Sequence, residues 1–241
     1  MTRRKLVAGN WKMNGSLAAL AELDTIAAVA RAHPAVDVSI ALPATLIAPA
    51  VQRVPGLAIG GQDVHAAESG AHTGCLSAAM LAEAGASFTI VGHSERRADQ
   101  GETSQDAWAK ASAAHRHGLG VILCVGETDA ERDAGRAARV VQAQIEKSVP
   151  DLATGAWLTL AYEPRWAIGT GRTPTLDEIA EVHSIARAKL RTLVGDAADT
   201  IRILYGGSVT GANAAAILET EDVDGALVGG ASLTAAKFVP I

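Results

Sequence analysis

The chain has 241 residues, of which 49% are apolar, 20% are charged and only 3% are aromatic, and its formal net charge is −5. An apolar content this high excludes a disordered chain. An acidic balance without a Lys/Arg run argues against nucleic acid or an anionic membrane as the main partner. No apolar run is long enough for a membrane span or a signal peptide. With only two cysteines, Cys75 and Cys124, we expect a cytoplasmic protein without a disulfide framework.

Short runs rich in Val, Ile and Leu recur along the chain and predict eight β-strands. These runs are Lys5–Gly9, Asp37–Leu42, Leu57–Gly60, Phe88–Val91, Gly120–Val125, Leu158–Tyr162, Arg202–Tyr205 and Gly225–Val228. Most are apolar at successive positions, which is typical of strands that are covered on both faces.

Segments with a helical period lie between these runs. One predicted apolar face comprises Leu17, Leu20, Leu23, Ala27 and Ala30, and another comprises Leu176, Ile179, Val182, Ala186, Leu190 and Leu193. Thr175 followed by Glu178 predicts a capping box at the start of the second helix.

Eight strand–helix units of about 30 residues each predict the α/β class and a (β/α)8 barrel of eight parallel strands inside a ring of helices. No linker or low-complexity segment divides the chain, so residues 1–241 are expected to form a single domain. A doubly wound open sheet is the alternative that periodicity alone leaves open.

The residues that follow the first strand form the first candidate cluster, because the strand ends of an α/β barrel converge on one mouth. Asn10, Trp11 and Lys12 lie there. A lysine at a strand end is usually a solvated cation. Asn10 and Trp11 are poor choices for a routine turn, and their presence favours a functional role for Lys12.

His93 follows the fourth strand directly and is the second candidate. It could be only a structural group, because Ser94 or its neighbour can cap the next helix, with Glu95 in the first turn. A helix N-terminus disfavours imidazolium, so a histidine at this place is expected to be neutral and to donate a hydrogen bond.

Glu163 ends the sixth predicted strand and is followed by a connection over residues 164–174. A capping or salt-bridged carboxylate is one interpretation. The other is a general base whose pKa rises when a lid excludes water. The Pro-x-Trp start and Gly-x-Gly centre of the connection favour the lid.

Glycine pairs follow the last two strands, within residues 205–208 and 228–230. Glycines let backbone N–H groups approach an anion, and phosphate sites recur at this place in barrels. The chain has no Walker loop, no Gly-x-Gly-x-x-Gly after its first strand and no residues at metal-ligand spacing.

These motifs together resemble the triosephosphate isomerase family over essentially the whole chain. The matching segments, in family order, are 10–12, 92–97, 161–164, 166–171, 205–208 and 225–230. The resemblance implies a (β/α)8 TIM barrel and a triose-phosphate substrate. The implied reaction is the interconversion of dihydroxyacetone phosphate and D-glyceraldehyde 3-phosphate, and it needs no metal or organic cofactor. Only eleven residues follow Gly230, so the final helix is expected to be abbreviated relative to the family.

The resemblance also implies the residue roles. Glu163 would be the base, His93 the neutral electrophile and Lys12 the cation that stabilises the enediolate, while Asn10 would position substrate and Glu95 would order the groups around it. Phosphate would be bound by backbone N–H groups of Gly169, Ser208, Gly229 and Gly230. The lid would comprise Pro164, Arg165, Trp166, Ala167, Ile168, Gly169, Thr170 and Gly171.

The family commonly forms homodimers through the loop after the third strand, here residues 62–75, and Thr73 would reach the partner's site. This sequence departs from the family pattern at His72 and Cys75, so a differently packed loop is expected. It departs again at Arg165 and Pro174, at the two hinges of the lid. Because proline restricts the residue before it, we expect altered loop kinetics rather than lost chemistry.

Two other functions compete with this interpretation. One is another phosphosugar isomerase or epimerase with the same phosphate grip, and the other is a barrel that kept phosphate binding and lost catalysis. The complete set of Lys12, His93 and Glu163 argues against both.

Overall fold

The computed structural model describes residues 3–167 and 174–241, and its strands close into a parallel barrel in the order β1 to β8. The strands are β1 Lys5–Asn10, β2 Val36–Ala41, β3 Ala58–Gly61, β4 Phe88–Val91, β5 Gly120–Val125, β6 Leu158–Tyr162, β7 Arg202–Tyr205 and β8 Gly225–Val228. Pairing of β1 with β8 excludes the open sheet.

The predicted bounds of β4 to β8 are confirmed, whereas β1 to β3 differ by one residue at their ends. Pairing explains the difference. Asn10 lies opposite Ala41, which extends β1, and Gly61 lies opposite Thr89, which extends β3. Such long-range pairing is not visible in a local apolar run.

Helices surround the barrel. In the described ranges they are α1 Glu22–Ala32, α2 Ala44–Arg53, α3 Ala78–Glu83, α4 Ser94–Asp99, α5 Ser104–Arg116, α6 Asp129–Asp133, α7 Ala137–Ser148, α8 Leu176–Val194, α9 Ala214–Glu219 and α10 Ala235–Phe238. The last helix has four residues, in line with the expected abbreviation.

The capping box at the start of α8 is confirmed. The Thr175 hydroxyl accepts the Glu178 N–H, and the Glu178 carboxylate accepts the Thr175 N–H at 2.8 Å. Each satisfies a backbone donor that the first helical turn leaves free.

The predicted apolar faces include leucines that are exposed in the structure, so this part of the prediction is wrong. Leu17 is 66% exposed, because a 3₁₀ turn over Ala18–Ala21 precedes α1 and its tighter period rotates Leu17 away from the core. At the two ends of α8, Leu176 and Leu193 are also exposed, while the face between them is buried.

Two apolar layers hold the barrel together. The inner layer consists of Leu6, Ala8, Ala41, Phe88, Ile90, Ile122, Cys124, Ala161, Leu204 and Leu227. The larger layer lies between the strands and the helices. Because alternate residues of a strand point to opposite faces, the same strands supply both layers. The low aromatic content is therefore compatible with a filled interior.

Candidate active site

Glu163 lies directly after β6 and is 2% exposed. Its backbone N–H donates to the carbonyl of Val125 at 2.8 Å, which ties it to the end of β5. Two glycines allow Glu163 to lie close to the backbone of neighbouring strand ends. A Cβ at Gly126 would lie 1.8 Å from the Glu163 carbonyl oxygen, and a Cβ at Gly206 would lie 2.8 Å from its Cγ. The ends of three strands therefore determine where this carboxylate lies.

The Glu163 carboxylate contacts the segment that follows β4. Its Oε1 lies 2.9 Å from His93 Nε2, and its Oε2 accepts the backbone N–H of Ser94 at 2.8 Å. The sequence-predicted base and electrophile are therefore brought into direct contact.

The charge of Glu163 is maintained despite its burial. Burial alone would raise the pKa of Glu163, but the adjacent His93 and the Ser94 N–H outweigh it and hold the pKa of this carboxyl below its ordinary value. The group is thus ionised at neutral pH, which a general base requires.

His93 is the N-cap of α4, so the prediction that Ser94 or its neighbour caps this helix is confirmed. Its Nδ1 accepts the backbone N–H of Glu95 at 3.2 Å, so the neutral ring carries its proton on Nε2, the atom that faces Glu163.

The expectation that the helix start keeps His93 neutral is not supported in this arrangement. Burial is the largest single cause and lowers the pKa of His93, but the charge and hydrogen bond of Glu163 together with the charge of Glu95 outweigh it, and the pKa lies above its ordinary value. A carboxylate at hydrogen-bond distance favours the charged form of the ring.

Lys12 has a left-handed backbone with φ of 54°, which is uncommon for a residue with a side chain. Two side chains hold it. The Asn10 Oδ1 accepts the Lys12 N–H at 3.0 Å, and the Gln62 Nε2 donates to the Lys12 carbonyl at 2.9 Å. The Lys12 Nζ lies 2.6 Å from Glu95 Oε1, which orients the ammonium toward the mouth.

These groups share one cavity of about 290 Å³. Its walls include Asn10, Lys12, His93, Glu163, Ser208, Gly229 and Gly230. The cavity is therefore lined by charged side chains on one side and by the glycine-rich ends of β7 and β8 on the other. Such a layout can hold an anion beside an acid–base pair.

The start of the predicted lid is fixed by a buried carboxylate. Glu127 is fully buried, and its Oε1 accepts the Trp166 Nε1–H at 2.9 Å and the Tyr162 hydroxyl at 3.0 Å. The Arg165 N–H donates to the Glu127 carbonyl at 3.2 Å. Pro164 and Ala167 are buried in the same segment, whereas the remaining lid residues, Ile168, Gly169, Thr170 and Gly171, lie outside the described residues.

Sequence reasoning missed several residues that organise this site. Gln62 holds the Lys12 backbone, Glu127 anchors Trp166, and the buried Cys124 thiol contributes to lowering the pKa of Glu163. A Gln after β3 and a Glu after β5 follow the strand-end rule, and that rule could have pointed to them.

The loop after β3 projects from the barrel, and Thr73 and Cys75 are both exposed on it. The His72 ring packs on the His65 ring with centroids 4.0 Å apart. The loop is thus ordered around a histidine pair at the position of the family's aromatic residue.

The described ranges hold no group of three His, Cys, Asp or Glu residues that could bind a metal ion, and none of their helices is long and apolar enough to cross a membrane. A closed parallel barrel with an ionised carboxylate, an imidazole and a lysine at the carboxyl ends of its strands defines a (β/α)8-barrel enzyme with proton-transfer groups.

The comparisons with known proteins narrow this class. Residues 5–241 match the family model described as triosephosphate isomerase. The chain is 58% identical over 238 residues to the triosephosphate isomerase of Jannaschia sp. (strain CCS1), with 98% of this chain and 95% of the relative covered. It is 55% identical over 242 residues to that of Dinoroseobacter shibae, with 99% and 98% covered.

A solved structure shows the same architecture. The crystal structure of triosephosphate isomerase from Bartonella henselae superposes with a TM-score of 0.92 at 44% identity, covering 98% of this chain and 97% of that one. The chain belongs to the triosephosphate isomerase family, a family of enzymes.

Proposed function

We propose that the chain interconverts dihydroxyacetone phosphate and D-glyceraldehyde 3-phosphate through an enediolate, as a step of glycolysis and gluconeogenesis. The observation that carries the proposal is that Glu163, His93 and Lys12 line one cavity beside glycine-rich backbone. Removing a proton beside a carbonyl needs a base, an electrophile for the oxygen and a site that excludes water.

Glu163 is the base that moves the proton between the two substrate carbons. Its low pKa keeps it ionised, and its burial keeps it poorly solvated. Both carboxylate oxygens are engaged by His93 and Ser94, so the side chain rotates away from them to reach a substrate carbon.

His93 donates a hydrogen bond from Nε2 to the substrate oxygen. Once Glu163 moves to the substrate, the largest cause that raises the pKa of His93 is removed. Burial, the largest of all the causes acting on this pKa, and the charge of Lys12 then favour the neutral ring against the smaller opposing effect of Glu95. A neutral donor stabilises the enediolate oxygen without surrendering its proton to it.

Lys12 stabilises the negative charge that develops on the enediolate, and Glu95 holds its ammonium at 2.6 Å. Asn10 shapes the same wall, because its side chain fixes the Lys12 backbone. The backbone N–H groups of Ser208, Gly229 and Gly230 bind the phosphate, together with Gly169 of the lid. No step in this mechanism uses a metal or an organic cofactor.

Residues 164–171 act as a lid that closes over the substrate. The contacts of Glu127 with Trp166 and Arg165 hold the N-terminal hinge and are the interactions that closure has to rearrange. A closed lid keeps water from the enediolate, from which phosphate would otherwise be lost.

A coupled assay in both directions tests this function. We expect turnover of both triose phosphates, with loss of at least about 100-fold in kcat/KM for Lys12→Met while the circular dichroism spectrum is unchanged. An enzyme that turns over neither triose phosphate would refute the proposal.

We also propose a homodimer formed through residues 62–75, with Thr73 reaching the partner's site. Exposed apolar side chains support this assembly, since Met13 is 96% exposed, Met80 is 51% exposed and Leu76 is 37% exposed. Leu76 directly follows this loop and Met80 lies on the helix after it, so a partner that packs on the loop would cover them. Sedimentation equilibrium combined with activity measured against protein concentration checks this, and a fully active monomer would refute it.

The proposal further assigns residues 1–241 to a single catalytic domain located in the cytoplasm. The closed barrel, which uses strands from both ends of the chain, supports the single domain. The place of the family in glycolysis supports the location.

A further inference from the structure

A second cavity of about 410 Å³ lies at the opposite end of the barrel from the candidate active site. We call it the basal cavity, and its polar wall includes Arg4, Arg31, Asp37, Ser39, Thr159 and Arg202. Leu6, Phe88 and Ile122 form its apolar floor. It is larger than the cavity at the active mouth.

Strand alternation directs polar groups of the basal cavity into the barrel. On β2, Asp37 and Ser39 share the parity of Ala41, which belongs to the inner layer. On β7, Arg202 shares the parity of Leu204 in the same layer. The end of the barrel interior at the starts of β2 and β7 is therefore polar and charged. An apolar layer at this place would have closed that end of the barrel.

The basal cavity carries excess positive charge. Asp37 is the only carboxylate among the described residues of its wall, and it already pairs with both Arg4 at 3.0 Å and Arg202 at 2.7 Å. Arg31 has no ion-pair partner within residues 3–167 and 174–241. Three arginines against one aspartate leave +2 in this cavity, whereas the whole chain carries −5. A local reversal of sign of this kind attracts anions.

The wall also contains a buried hydroxyl without a partner. Ser39 is 5% exposed, and its Oγ makes no hydrogen bond to any described residue. A buried polar atom of this kind is unfavourable unless something in the cavity bonds to it. Ser39 lies two residues beyond Asp37 on the same inner face, so its hydroxyl lies deeper in the barrel than the ion pairs.

We propose that the basal cavity binds a small dianion with a phosphate group, either free phosphate or a phosphorylated metabolite. The guanidinium groups of Arg4, Arg31 and Arg202 neutralise its charge, and the Ser39 hydroxyl donates to it. An arginine keeps donors free after one contact with a carboxylate, since each guanidinium has five N–H groups.

The test separates this site from the active site with the variant Gly230→Asp. A Cβ at Gly230 meets nothing within 4 Å, and the new carboxylate repels phosphate from the active mouth. Thermal unfolding of Gly230→Asp is followed with increasing inorganic phosphate, and in parallel with glycerol 3-phosphate. Potassium chloride at equal ionic strength corrects for screening. A dianion bound only by the folded state raises the unfolding midpoint in a saturable way.

Two further variants in the Gly230→Asp background locate the ligand. Arg31→Gln and Ser39→Ala should each weaken the apparent affinity by about tenfold, the effect of losing one hydrogen bond to a charged group. Without phosphate, neither should lower the midpoint, because Ser39 Oγ has no hydrogen-bond partner and Arg31 no ion-pair partner among the described residues. Arg116→Gln is the matched control, since Arg116 is also an exposed arginine near a helix end and lies outside the cavity.

Equal stabilisation by phosphate and by chloride would overturn the proposal, as would stabilisation that Arg31→Gln and Ser39→Ala leave unchanged. A larger shift with glycerol 3-phosphate than with inorganic phosphate assigns the site to a metabolite, and equal shifts assign it to free phosphate. If Gly230→Asp does not fold, titration calorimetry is carried out on proteins that keep Gly230. The unsubstituted protein should then bind two phosphates per chain, and the double variant Arg31→Gln with Ser39→Ala should bind one. A single phosphate in both proteins would refute the site.

Discussion

The Nε2 atom of His93 lies 2.9 Å from the Oε1 atom of Glu163, so the proposed electrophile and the proposed base are paired with each other when no substrate is present. The pairing stabilises the ionised carboxylate and the protonated form of the buried imidazole together. It also means that binding of substrate has to break this contact, which couples substrate binding to the release of the base.

Shortening the base should reduce turnover with little effect on stability. Glu163→Asp withdraws the carboxylate by about one carbon–carbon bond, and misplacement on that scale costs about 100-fold in rate. We expect this loss in kcat with a smaller change in KM, measured by the coupled assay. Glu219→Asp, an exposed position on α9, is the control and should retain full activity. A Glu163→Asp enzyme within about threefold of the unsubstituted rate would contradict the role of Glu163.

Gln62 should act by positioning Lys12. Gln62→Met keeps the size of the side chain and removes the N–H groups that bind the carbonyls of Lys12 and Ala41 at 2.9 and 3.2 Å. We expect kcat/KM to fall by about tenfold, less than for Lys12→Met, because the ammonium stays present but is less ordered. In the double variant that combines Lys12→Met with Gln62→Met, kcat/KM should be almost the same as in Lys12→Met alone.

The exposed Gln142→Met on α7 serves as the control for Gln62. Additive losses in the double variant would mean that Gln62 does not act through Lys12.

Arg165 and Pro174, at the two hinges of the lid, should determine how fast the lid opens and closes. Pro174 restricts the residue before it, and Arg165 lies where the N-terminal hinge is tied to Glu127. Arg165→Val with Pro174→Ala should therefore change kcat and KM together by a few-fold, about two to ten times, without abolishing the reaction. Steady-state kinetics with added viscogen measures the change. Identical constants in the double variant would contradict a kinetic role for these residues.

Stability should depend on pH through His183. This ring is fully buried on α8, its Nδ1–H donates to the Asp222 carbonyl at 3.0 Å, and burial lowers its pKa to about 4 from an ordinary value of 6.5. Between these two pH values the unfolded chain binds a proton that the folded protein does not. The free energy of unfolding should then fall as pH decreases from about 6.5 to about 4, by at most about 3 kcal/mol from this group.

Urea unfolding at several pH values, compared between the unsubstituted protein and His183→Asn, isolates this contribution. Asparagine retains an N–H donor for Asp222 but does not titrate. The variant should show a shallower loss of stability over the same pH range, whatever its stability at neutral pH. Parallel curves for the two proteins would show that His183 does not titrate on unfolding.

The regular part of the fold was predictable because each strand is a continuous apolar run with its own turn residues. The bounds of β4 to β8 followed from those runs alone. The bounds of β1 to β3 did not, since pairing with a neighbouring strand extends or shifts them. The exposure of Leu17 also depended on a 3₁₀ turn that its apolar spacing does not encode.

The sequence alone determined which residues lie at the mouth of the barrel, because Lys12, His93 and Glu163 each follow a strand and parallel strands end together. Tertiary structure decided how those residues interact. The contact between the Ser94 N–H and Glu163 joins positions 69 residues apart, and the hold of Gln62 on Lys12 joins positions 50 residues apart. Local patterns reflect the burial of neighbouring side chains. Contacts at such separations, and the pKa values that they shift, depend on the closure of the barrel.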